Sequence, residues 1–161
     1  MKIFRLSIIL GIALSIFTLS AYAQNVKAEG EAQFDADLAK KLGADDYGMR
    51  SYVMVVLKTG PNDSKITDKA QRDKLFAGHF GNMKRLAEEG KLVFAGPLSD
   101  DAPKRGLFIF AVTSFEDAEA LVKTDPTVKE GIFVYDMTKL YGSAALMQVN
   151  EMHKKVQKTS F

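Results

Sequence analysis

Residues 51–58 read Ser-Tyr-Val-Met-Val-Val-Leu-Lys, and Thr59-Gly60-Pro61-Asn62 follow at once. A short run of β-branched and aromatic residues closed by turn formers predicts a β-strand. Side chains alternate along a strand, so Tyr52, Met54 and Val56 face one way and Val53, Val55 and Leu57 the other. Both sets are apolar. The same holds in LFIFAVT at 107–113, where Leu107, Ile109 and Ala111 oppose Phe108, Phe110 and Val112. Strands that are apolar on both sides need cover on both sides.

Working outward, Thr67 or Asp68 is placed to cap a helix that reaches Glu89, with Gly90 as its stop. Residues 91–95 predict a second strand, ended by Gly96-Pro97. The turn residues of 99–103 lead through Gly106 into the third strand, 107–113. Ser114 caps a second helix carrying Glu116 and Asp117 in its first turn, where the helix dipole favours acids. Residues 131–140 predict a fourth strand and 143–158 a terminal helix. The order β-α-β-β-α-β predicts an α+β chain with a ferredoxin-like unit, in which both helices lie on one face of a four-stranded antiparallel sheet. The other face is then uncovered. A second copy, sheet against sheet, is the simplest cover, so a homodimer is expected.

The N-terminal end has a different character. Lys2 and Arg5 precede an apolar stretch at 8–19, and Ala21-Tyr22-Ala23 has the small-x-small pattern of a cleavage site. The apolar run is shorter than the roughly 20 residues of a spanning helix, so residues 1–23 predict a cleaved export signal without stable membrane insertion. The mature chain would start at Gln24, with a leader at 24–50 that includes a short helix at 37–42 ended by Gly43. The α+β domain at 51–142 follows, and then a helical tail at 143–161. Removing Lys2 and Arg5 from 22 basic residues balances the 20 acidic ones, so nothing draws the mature chain to nucleic acid. The chain is 47% hydrophobic and 26% charged, which excludes a disordered or fibrous protein. Its lack of cysteine excludes disulfide scaffolds, thiolate metal sites and a catalytic thiol, and suits a periplasmic or extracellular location.

Few residues remain that carry chemistry. His79 follows Leu75 and precedes Met83 by four residues, on or beside the buried stripe of the first helix. By spacing alone it reads as a core or rim histidine satisfied by a hydrogen bond. Asp125 before Pro126 reads as a helix N-cap followed by the first helical position. A functional role would require its carboxylate to turn towards His79, fixing the imidazole tautomer. Arg105, at the β2–β3 loop, reads first as a solvated charge and second as a residue to hold an anionic substrate. His153 on the terminal helix reads as packing or as a partner for the helix C-terminus. Two distant histidines make no metal site, and Asp100-Asp101 reads as a turn rather than a calcium site. Phosphate-binding glycine loops and serine-hydrolase elbows are absent from the sequence, so no cofactor is expected.

Four segments together resemble the YCII-related (YciI-like) family. They are 52–58; His79 with 82–92; Ala95-Gly96-Pro97-Leu98 with 105–110; and Thr124-Asp125-Pro126 continuing to Gly131. The resemblance spans about 51–142, and the segments 38–49 and 141–147 look like those of an exported subgroup. It implies a dimeric α/β-barrel with a cleft in which a histidine and an aspartate form an acid/base pair, which by position are His79 and Asp125. It names no substrate beyond a small-molecule ligand. The rival expectation is a non-catalytic ligand-binding or structural module of the cell envelope.

Overall fold

The computed structural model describes residues 33–99 and 103–159; the expected export signal, most of the leader's first ten residues, and Asp100-Asp101 lie outside them. Helix α1 (Ala36–Leu42) ends at Gly43, whose φ of 67° suits a residue without Cβ. Then come β1 (Met49–Thr59), α2 (Lys69–Glu88), β2 (Leu92–Pro97), β3 (Lys104–Phe110) and α3 (Phe115–Val122). A one-turn helix α4 (Pro126–Lys129) leads into β4 (Phe133–Ser143), followed by a 3-10 helix (Ala144–Gln148) and α5 (Val149–Val156). The strands form one antiparallel sheet in the order β2-β3-β1-β4, the ferredoxin-like arrangement. Among the described residues no helix is long and apolar enough to cross a membrane.

Local signals explain most of these elements. Asp68 caps α2 by accepting from the Gln71 amide at 2.7 Å, and Ser114 caps α3 by accepting from Asp117 at 3.0 Å. Gly90 closes α2 with a φ of 69°. The register pairs Val53 with Phe110 and Val55 with Phe108. Those side chains meet Leu86 of α2, Ala118 and Val122 of α3, and Ile132 in the main core. Each fully buried aliphatic or phenyl side chain there contributes about 1.5–3 kcal/mol.

Several strand boundaries differ from expectation. β3 occupies 104–110 instead of 107–113, because Pro97 pairs with Gly106 and the Leu98 amide bonds the Arg105 carbonyl at 3.0 Å. Its other end stops at Phe110 so that the chain can turn into the Ser114 cap. β4 runs on to Ser143 because β1 begins earlier, with Met49 opposite Ser143 and Arg50 opposite Gly142.

The helix-free face shows a further difference. Part of its cover comes from the chain itself. Tyr52, Val93 and Ile109 are buried under Leu140, Leu146 and Met147, the last two from the 3-10 helix. Tyr52 Oη donates to the Ser143 carbonyl at 2.9 Å, and Asn150 Nδ2 of α5 donates to the Leu92 carbonyl at 2.8 Å. Towards the other end of the strands, Met54, Val56 and Leu107 are half-buried, while Phe94 and Val134 are 38% and 39% exposed.

Candidate active site

α2 brings His79 to its sheet side, and the link between α3 and α4 brings Asp125 to meet it. His79 Nδ1 lies 2.6 Å from Asp125 Oδ2. The other carboxylate oxygen, Oδ1, accepts from the Thr127 amide at 2.9 Å and from Thr127 Oγ1 at 2.7 Å. The cap and the partner are therefore the same residue, with one oxygen for each task. Asp125 is fully buried and the His79 side chain is 10% exposed. Just outside, Thr124 Oγ1 donates to Asn82 Oδ1 at 2.9 Å, and Arg85 Nη2 reaches the same Asn82 oxygen at 2.8 Å. These contacts stitch α2 to the segment entering Asp125.

Burial works to raise the Asp125 pKa. The His79 hydrogen bond, the His79 charge and the two Thr127 hydrogen bonds oppose it and hold the carboxyl below the usual aspartate range. An ionised carboxylate only accepts, so Nδ1 carries a proton, and whenever the ring is neutral Nε2 presents the lone pair. Among the described residues no hydrogen bond engages Nε2. The His79 side chain keeps about a tenth of its surface exposed. The rest of the ring is enclosed by phenylalanines. Phe108 stacks on it at 6.0 Å between centroids, with Phe76, Phe80 and Phe133 edge-on at 6.1, 5.3 and 5.7 Å. Phe80 is itself 54% exposed and marks the open side.

Arg105 is not part of this arrangement. Leu57 pairs with Gly106 and Lys58 with Lys104, which leaves Arg105 as the extra residue of a β-bulge, exposed and with no contact to His79 or Asp125 among the described residues. His153 is exposed in the last turn of α5, beside Lys154 and Lys155. A cavity of about 510 Å³ lined by Lys123, Val128, Lys129, Phe133 and Tyr135 shares Phe133 with the cage but stops short of His79. Thr127 was not singled out from sequence. Asp-Pro-Thr does contain a signal for it, since a hydroxyl two residues after an N-cap can bond the capping carboxylate.

The YCII-related domain matches residues 51–140, more than half of the chain. The chain belongs to the YCII-related domain family. In this YCII-related protein the matched span holds His79, Asp125, Thr127 and all four caging phenylalanines, while α1, the 3-10 helix and α5 lie outside it. No curated protein matches it. Among solved structures it is similar to the 5-chloro-2-hydroxyhydroquinone dehydrochlorinase TftG of Burkholderia phenoliruptrix AC1100, in complex with 2,5-dihydroxybenzoquinone. The two are 19% identical with a TM-score of 0.40, over 54% of this chain and 90% of that one.

Proposed function

We propose that this YCII-related protein is a small-molecule enzyme in which His79 moves a proton and Asp125 orients it. The observation that supports this is the 2.6 Å bond from Nδ1 to a carboxylate already tied to Thr127, which leaves Nε2, on a side chain 10% exposed, without a hydrogen bond among the described residues. Nε2 takes a proton from the substrate, the imidazolium rests against the Asp125 carboxylate, and the same nitrogen returns the proton elsewhere on the molecule or to water. The phenyl cage suits an apolar small molecule carrying an acidic C–H or O–H. Two copies associate through the open half of the helix-free face, where Met54, Val56, Leu107, Phe94 and Val134 form an incompletely covered apolar surface. Residues 1–23 direct export to the periplasm or beyond.

The test starts with a thermal-shift screen of small apolar acids, phenols and enols against the chain from residue 24. Binders are then incubated in D2O and followed by NMR. Exchange of a substrate proton in wild type, lost in His79→Gln with the melting temperature retained, is the expected result. Binding without exchange, or exchange that survives His79→Gln, overturns the acid/base reading and puts a non-catalytic binding module in its place.

A further inference from the structure

The His79–Asp125 bond crosses from α2 to the start of α4, and its length depends on how closely those helices approach. Gly78 lies at the point of approach. A Cβ built at Gly78 would sit 2.9 Å from Pro126 Cγ and 3.5 Å from Pro126 Cβ. Carbon atoms prefer a separation of about 3.5–4.0 Å, so the shorter contact requires movement. Pro126 is a closed ring and cannot swing aside as a long side chain would. It also directly follows Asp125 at the first position of α4.

The far end of α4 is held. The Asn62 amide bonds the Gly131 carbonyl at 3.0 Å, Asn62 Nδ2 bonds Glu130 at 2.9 Å, and the Gly60 amide bonds Ile132 at 2.7 Å. A side chain at position 78 is therefore accommodated at the Pro126 end, which carries Asp125 away from His79. Glycine inside a helix costs stability relative to alanine, so its presence calls for a physical reason. Gly81, three residues on, has nothing within 4 Å of its built Cβ and serves as an internal control.

We propose that Gly78 is a positioning residue for the acid/base pair: its missing side chain lets the Pro126 ring seat against α2 and holds Asp125 Oδ2 at hydrogen-bond distance from His79 Nδ1. The catalytic consequence rests on the function proposed above. The bond itself does not, and it is measurable without a substrate.

The chain has two histidines, so NMR of protein labelled with 15N-histidine shows two imidazoles, with exposed His153 as the reference. Wild type is expected to show a downfield, slowly exchanging Nδ1 proton for His79 and the matching tautomer. Gly78→Ala should lose that signal, Gly81→Ala should keep it, and Gly78→Ala with Pro126→Ala should restore it because the clashing ring carbon is gone. If Gly78→Ala does not fold, the double variant decides. A folded double variant with the signal supports the proposal; one without it, or one that fails to fold, overturns it, as does an unchanged signal in Gly78→Ala alone. Once a substrate is in hand, proton exchange in Gly78→Ala should fall roughly 10- to 100-fold, in line with a sub-ångström to ångström misplacement. A wild type without exchange but with the NMR pattern intact would sink the enzyme reading and leave the positioning of the pair standing.

Discussion

The two faces of the sheet are closed in different ways. On the helix side, three helices cover Val53, Val55, Leu57, Phe108 and Phe110, and within that cover sits a buried carboxylate with every oxygen engaged. On the other side the chain's own tail covers Tyr52, Val93 and Ile109, and the apolar surface beyond is only partly buried. A buried carboxylate is tolerated only where its hydrogen bonds are complete. The helix side meets that condition for Asp125. The helix-free side buries the Tyr52 hydroxyl, bonded to the Ser143 carbonyl, but no carboxylate–imidazole pair, which makes it suited to association rather than chemistry.

The sharpest way to break this contrast is a pair of truncations on opposite faces. Phe110→Ala removes a fully buried ring from the helix side and should cost about 3–5 kcal/mol in urea unfolding. Met54→Ala, half-buried on the other face, should cost about 1 kcal/mol at low protein concentration. Equal losses would show that the faces are equally closed. If a second copy covers Met54, its cost should rise with protein concentration while that of Phe110→Ala stays put.

Next in size is the pair itself. Asp125→Ala leaves the Thr127 amide, the Thr127 hydroxyl and His79 Nδ1 without their acceptor, and should cost about 3 kcal/mol. Asp125→Asn retains an oxygen to cap α4 and should cost about 1 kcal/mol. Its amide NH2 then faces Nδ1 as a donor, which favours the opposite tautomer and places the proton on Nε2. The asparagine variant should therefore keep the fold and lose proton transfer. If it transfers protons at the wild-type rate, Asp125 does not orient the ring.

A smaller effect is expected from the tail and the open half. Leu146→Lys should cost about 1–2 kcal/mol by uncovering Tyr52 and Ile109. Val56→Lys should leave the single chain nearly as stable and convert a dimer into monomer by light scattering. A variant that stays dimeric would move the association surface elsewhere.

Much of the fold was legible because its signals are local. Asp68, Ser114, Gly43 and Gly90 each mark a helix end through a hydrogen bond or a positive φ that involves only near neighbours. The alternation in 51–58 likewise assigned Val53 and Met54 to opposite faces. What stayed hidden depends on distant partners. The start of β3 follows from pairing with Pro97, and the bulge at Arg105 from the register against β1. The fold-back of Leu146 and Met147 onto Tyr52 needs a turn at Ser143 that periodicity does not show. Asp125 read as a cap because capping is local; the separation of 46 positions from His79 conceals the second task. Family resemblance brought the two together where spacing could not.

The smallest effect is a change of slope with pH, and it tests whether the buried pair is charged on the carboxylate side. Folded Asp125 has its pKa held below the ordinary aspartate value, against the upward push of burial, by His79 and Thr127. In the unfolded chain it returns to about 3.9. Between those two values the unfolded chain binds more protons, so stability rises with pH. The contribution is complete above the ordinary value and is lost as pH falls through the folded one. Asp125→Asn has no such proton to bind. Urea midpoints from pH 2.5 to 7 should therefore show a shallower acid limb in the variant, with the gap between the proteins narrowing below about pH 4. Asp45, Glu89, Glu119 and Glu151 also have lowered pKa values, but they are exposed and present in both proteins, so they cancel in the difference. Added salt should leave that difference almost unchanged, because ions screen exposed pairs far more than buried ones. Parallel acid limbs would mean that Asp125 is not held as a carboxylate by His79, and the tautomer argument for Nε2 would fall with it.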